Sequence, residues 1–283
     1  MKRAIYFFLL ITIAISCSKR QNTKQYISTT IAPLTYITKY LTDSTIQINT
    51  LIPKGMSPES GDFSIETLKK LHDSKACIYF GTLPFEQAQL LPVLKSDTSI
   101  AQIALSDGHN HTHNNLCNHE HHVCDPHVWL SVKQMLQMSL KIAEEIKEQY
   151  PNIADIVDRN SEKLQTQLTR LDSSFTTILA SKNIRSFVIY HPALSAFAED
   201  YGLQQISIEE HGKEPSPNHI KQIIEQVKQQ GISLLLVQAQ NDATQCKQIA
   251  DECNMTIVGF NPLADNYIAE MQKLAETLNN HLK

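Results

Sequence analysis

The chain has 283 residues, 42% of them hydrophobic, enough to bury one large core or two modest lobes, and this excludes a disordered polypeptide. Its formal net charge is -4, and no run of Lys and Arg forms the basic stripe that a nucleic-acid partner requires.

Lys2 and Arg3 precede the apolar run "AIYFFLLITIAIS" (4–16), far short of the roughly 20 residues of a spanning helix but suited to the core of an export signal. Ala14, Ile15 and Ser16 then lead to Cys17, which resembles the lipobox of bacterial lipoproteins, whose cysteine is lipidated and becomes the first mature residue. On that reading residues 1–16 are a signal peptide, Cys17 is the lipid attachment site and 17–25 is a polar tether. The protein is then expected in the periplasm, anchored to a bacterial membrane. An ordinary secretory signal is the alternative, and it also takes the chain out of the cytoplasm. With Cys17 lipidated, an odd number of cysteines remains, so they cannot all pair.

Four β-rich runs follow, at "YISTTIAP" (26–33), "TIQINTLIP" (45–53), "KACIYFGT" (75–82) and "QIALS" (102–106), with an amphipathic helix in "FSIETLKKLHDS" between the second and third. Cys77 lies in the third run and reads as a buried small hydrophobe. Seven of the 12 histidines fall between His109 and His127. Of these, His109, His111 and His113 alternate, which puts them on one face only of an extended backbone. Together with His119, His121 and His122 they read as a flap, 107–122, that gathers zinc weakly. A loop with incidental metal affinity is the plainer alternative. Cys117 and Cys124 flank this segment, and either a small disulfide loop or extra thiolates for a soft metal is open to them.

From Trp129 to Tyr150 the pattern is helical, and Pro151 breaks it. Apolar residues from Ile153 to Leu179 then recur every three or four positions, which predicts one helix of about 27 residues, near 40 Å long. Such a helix spans a whole domain, as a spine between lobes. Four more strand-like runs follow at "RSFVIYH" (185–191), "QISIEE" (205–210), "LLLVQA" (234–239) and "TIVGFNP" (256–262), separated by helices such as "NHIKQIIEQVKQQG", which ends on Gly231. Cys246 and Cys253 fall on one such helix about 10 Å apart, too far to bond unless it ends before Cys253. The expected fold is α/β, with two similar lobes of four mainly parallel strands joined by one long rigid helix. The boundaries are an N-terminal lobe at 26–150, the linking helix at 151–181 and a C-terminal lobe at 182–283.

In open parallel sheets, ligands sit outside the carboxyl ends of the strands. Glu59, His127, His191 and Asp265 each fall just beyond a predicted strand, two from each lobe. Two imidazoles and two carboxylates suit zinc and tolerate manganese, in the cleft between lobes. Asp265 also stands where the following helix wants an N-cap.

The segments "CDPHVWLS" (124–131), "VIYHPALSAFAEDYGL" (188–203), "IEEHGKEPS" (208–216) and "VGFNPLADNY" (258–267) resemble the motifs of the zinc and manganese solute-binding proteins of ABC transporters, the ZnuA/TroA-like family. The resemblance implies two α/β lobes joined by a rigid helix, with a metal in the cleft and His127 and His191 as ligands. It also implies Asp265 as the carboxylate of the last lobe. The partners it implies are a membrane permease and its ATPase, served by a monomeric, non-enzymatic protein. Where that family commonly reads Pro-His-Glu-Tyr, this chain has "SPESGDF" (57–63), so Glu59 falls at the usual histidine and the next tyrosine is absent. Asp62, Glu66 or water are alternatives for that place. A carboxylate there hardens the site toward manganese or iron without excluding zinc.

The rival classes are a lipid-anchored zinc hydrolase and a metal-buffering or adhesive lipoprotein. A His-Glu-x-x-His signature fails at Val123, and Glu210 is the one candidate for a general base.

Overall fold

The computed structural model describes residues 26–59, 61–106, 126–209, 213–238 and 243–283. The export segment 1–16, Cys17, the tether, Cys117, Cys124, Glu210 and the six histidines from His109 to His122 lie outside the described residues.

Two four-stranded sheets are present. In the first, β1 (Tyr26–Thr29), β2 (Ile48–Thr50), β3 (Ser74–Tyr79) and β4 (Ala101–Ala104) stand in the order β2-β1-β3-β4. In the second, β5 (Ser186–Ile189), β6 (Gln204–Ser207), β7 (Leu234–Gln238) and β8 (Thr256–Phe260) stand in the order β6-β5-β7-β8. Every pairing is parallel, so the two halves repeat one topology. Parallel neighbours need crossovers. Those of the first half contain α1 (Ala32–Thr42), α2 (Ile65–His72) and α3 (Leu91–Ser96), and those of the second α6 (Ser195–Tyr201), α7 (Pro217–Gln230) and α8 (Ala243–Cys253). Between the sheets in sequence run α4 (Val132–Gln149) and α5 (Ala154–Ala180), and α9 (Tyr267–His281) follows β8.

Alternation along the strands sorts their side chains between an inner and an outer core. Ala76 and Ile78 join the central cluster, while Cys77 and Tyr79 face an outer one with Leu71 of α2 and Leu94 of α3. In the second sheet Leu234 and Leu236 face the centre, and Leu235 and Val237 meet Ile223, Val227 and Ile249 of α7 and α8. Strands covered on both faces read as unbroken apolar runs, which is why "LLLV" shows no polar alternation.

The central cluster is continuous from Ile27 in the first sheet to Phe187 in the second, and α5 runs through it. That helix is 27 residues long, and Val157, Leu164, Leu168, Leu171, Phe175 and Leu179 form its buried stripe. It packs against α1, α4, α6 and α9, so elements from both halves share one hydrophobic seam. At its far end the Phe175 ring meets Phe197 edge-on at 4.8 Å between centroids.

Local signals set the helix ends. Ser131, Ser216 and Asn266 accept from the backbone N–H three residues on, and Gly231 closes α7 at φ +68°, a left-handed conformation that glycine adopts without the Cβ penalty. Cys246 and Cys253 both lie on α8, and Cys77 is buried. Among the described residues no helix is long and apolar enough to cross a membrane.

Candidate metal centre

The site is assembled by strand register. Ile189 of β5 pairs with Ser207 of β6 on one side and with Leu236 of β7 on the other. Two residues further, on the same face, stand His191, Glu209 and Gln238. Backbone bonds carry the β5–β6 ladder that far, from Ile208 N to Ile189 O (2.9 Å) and from Glu209 N to Tyr190 O (2.9 Å). Gln238, nearly fully buried, then clamps His191 by its main chain: its Nε2 donates to His191 O at 3.0 Å, and its Oε1 accepts from His191 N at 3.4 Å.

The first half contributes from two loops. Beyond β2, a turn closed from Met56 N to Pro53 O leads to Glu59, whose N–H donates to Ser57 Oγ at 3.1 Å. Before α4, a 3-10 turn over Val128–Leu130 follows His127. His127 is 5% exposed, with its ring 5.1 Å from that of Trp129. Trp129 is fully buried, rests its indole on Phe80 (5.3 Å) and donates Nε1–H to Pro262 O at 2.8 Å. Pro262 follows β8, so this one side chain ties the loop bearing His127 to the opposite half.

Glu59, His127 and His191 converge, each offering one donor atom within 4.8 Å of the others. The imidazole centroids of His127 and His191 are 5.1 Å apart, and Glu59 Oε1 lies 3.0 Å from His191 Nε2 and 3.7 Å from His127 Nε2. Donors on one zinc ion stand about 2.0–2.2 Å from it, so a small contraction places all three on a single ion. They open onto a cavity of about 160 Å³ whose wall includes Trp129, Pro262 and Leu263. Burial alone would lower the basicity of His191. The hydrogen bonds and charges of Glu59 and Glu209 outweigh it and push the imidazole up to about 9. In the ion-free protein these two carboxylates therefore favour the protonated ring.

Asp265 departs from the expectation that it joins this set. After β8 the chain turns with Leu263 N on Asn261 Oδ1 (3.0 Å) and Ala264 N on Asn261 O (3.2 Å). Leu263 lines the cavity, and Asp265 forms an exposed ion pair with Lys54 at 2.7 Å. The cap of α9 is its neighbour, Asn266. The alternatives to Glu59 are engaged elsewhere: Asp62 accepts from Gln89 Nε2 at 2.6 Å, and Glu66 pairs with Lys70 at 2.8 Å.

Sequence reasoning missed Glu209, Gln238 and Trp129. The rule that placed His191, ligands beyond carboxyl ends, also reaches Glu209 and Gln238, once β5 is known to lie between β6 and β7. No signal in the sequence tells that Trp129 reaches Pro262.

Comparison with known proteins comes to the same place. A family model described as zinc-uptake complex component A, periplasmic, matches residues 27–281. The zinc-binding protein AdcA of Streptococcus pyogenes is 26% identical over 286 residues, covering 90% of this chain and 55% of the relative. The zinc-binding lipoprotein AdcA of Streptococcus pneumoniae is 24% identical over 95% of this chain and 58% of its own length. A crystal structure of ZnuA superposes with a TM-score of 0.82 at 26% identity, covering 91% of this chain and 98% of that one. The chain thus spans about half the length of the curated relatives it matches.

Proposed function

Since this chain belongs to the family of periplasmic zinc-uptake components, we propose that it captures a zinc ion between its two sheets and delivers it to a membrane permease. The family works with an ABC permease and its ATPase. The observation that carries the reading is the convergence of Glu59, His127 and His191, ligands drawn from both halves onto one cavity. Glu59, His127 and His191 are the protein ligands, and Asp265 stays outside. Two imidazoles and one carboxylate suit zinc and leave a place for a fourth donor. The manganese expected from the hardened site is secondary. Lipidation at Cys17 would keep the protein beside its permease, and the histidines from His109 to His122 would raise the local zinc supply. The hydrolase loses ground here, because the family is one of uptake components.

The direct test is a zinc titration of the protein with and without residues 107–122. One tight zinc site surviving the deletion, with manganese failing to compete for it, is the expected result. Loss of tight binding on deletion would move the site into the histidine-rich segment and overturn the reading.

Two further outcomes follow from the site. His191 has its pKa raised from 6.5 to about 9, so the stabilisation from its ion pairs in the metal-free protein is complete below 6.5 and lost as pH rises through 9. Zinc has to displace that proton. Uptake at pH 7 is expected to release about one proton from this ring, and affinity to fall by up to about tenfold per pH unit as pH drops from 9 to 7. Calorimetry in buffers of different ionisation enthalpy reads this directly. Asp265→Ala, in contrast, is expected to leave zinc affinity unchanged in a chelator competition, because Asp265 serves Lys54 at the surface.

A further inference from the structure

We propose that Glu209 is the positioning residue of this site: it fixes the His191 ring in the tautomer that turns Nε2 to the cation, and it supplies a second negative charge beside it. The proposal rests on His191 being a ligand.

The geometry is specific. His191 Nδ1 lies 2.5 Å from Glu209 Oε2, while Nε2 of the same ring lies 3.0 Å from Glu59 Oε1. An ionised carboxylate only accepts, so Nδ1 must carry a hydrogen toward Glu209. With Nδ1 committed to Glu209, Nε2 is the ring nitrogen left to offer its lone pair to the ion. The Nδ1 hydrogen stays on the ring and is donated to Glu209. Glu209 therefore selects Nε2 as the coordinating atom and stops the ring from flipping, without touching the ion.

The register makes this a built arrangement. β5 lies between β6 and β7, and His191 is held from both sides: Gln238 at the end of β7 grips its backbone, and Glu209, two residues beyond β6, grips its ring. The end of β6 is itself tied down, with His219 of α7 3.2 Å from Ser207 O through its Nε2. Glu209 is 16% exposed at the side chain, and water is a weak competitor for the bond. Charge points the same way. Two neutral imidazoles and Glu59 leave a dication with one uncompensated positive charge, and the Glu209 carboxylate one ring away cancels it.

The test uses the full chain and zinc itself, competed against a chelator, with Glu209→Gln, Glu209→Ala and His191→Ala. Glu209→Ala is expected to lose about 10- to 100-fold in zinc affinity, with Glu209→Gln, which keeps an acceptor oxygen, falling between it and the parent. Nitrogen-15 spectra of the zinc-loaded parent should show His191 with its hydrogen on Nδ1 and the metal on Nε2. Cobalt substituted for zinc should keep its visible band intensity in Glu209→Ala, since no ligand is lost. Metal on Nδ1, affinity unchanged in Glu209→Ala, or a changed cobalt coordination number would each overturn the proposal. If His191→Ala itself leaves affinity intact, the ligand assignment fails with it, and that result is distinct from a failure confined to Glu209.

Discussion

Replacing His127 and His191 together by alanine is expected to abolish the zinc-dependent rise in melting temperature. A ligand that binds only the folded state stabilises it by RT ln(1 + [L]/Kd), about 4 kcal/mol at a thousandfold excess over Kd. For a protein of this size each kcal/mol moves Tm by about 2–4 °C, so the parent should gain roughly 8–16 °C. The double variant keeps only Glu59 of the converging set, and one carboxylate 34% exposed to water does not hold zinc at these concentrations. His127 is almost fully buried, so its replacement also leaves a void that lowers the metal-free Tm. The decisive quantity is therefore the zinc-dependent difference within each variant, measured with residues 107–122 deleted to remove background binding. A rise as large as the parent's would show that the imidazoles at 127 and 191 are not the ligands.

Trp129→Ala is expected to have the largest effect on the fold itself. The side chain is fully buried against Phe80 and His127, and truncating such a residue costs about 3–5 kcal/mol, a large share of the total stability of a typical domain. Its Nε1–H is also the bond to Pro262 O, so the damage extends to the contact between halves. Trp129→Phe separates the two contributions. It keeps most of the ring surface and leaves the Pro262 carbonyl without that donor, at a cost of about 1–3 kcal/mol. Chemical denaturation measures both, and zinc affinity should fall with them, because the indole supports the His127 ring. Parent-like stability in Trp129→Ala would mean that the loop bearing His127 is held by something else.

Much of the fold was legible because its signals are local. The strand runs at 26–33, 45–53, 75–82 and 102–106 overlap β1 to β4, and those at 185–191, 205–210, 234–239 and 256–262 overlap β5 to β8. The three- and four-residue spacing of the apolar positions from Ile153 to Leu179 corresponds to α5, because a helix with one buried stripe writes its period into the chain. Of the candidate ligands, His127 and His191 lie in the motifs that carry the family resemblance, and the structure brings them together. Glu59 carried a weaker signal, since "SPESGDF" departs from the family pattern, yet the turn after β2 delivers it to the same cavity. Asp265 shows the limit. Its place just beyond the last predicted strand fitted the ligand rule, but the backbone turn around Asn261 gives the cavity to Leu263 and sends Asp265 to Lys54.

The sequence by itself determined the two-half α/β plan and the long helix between them, because strand alternation and helix period are written in near neighbours along the chain, and its motifs singled out two histidines that the structure brings together. Only the tertiary structure decided which side chains share the cavity. Glu209 meets His191 through the β5–β6 register, and Trp129 reaches Pro262 across 133 positions. Contacts of that kind depend on strand order and on the turn of a few backbone bonds, and neither leaves a periodic trace in the amino-acid order.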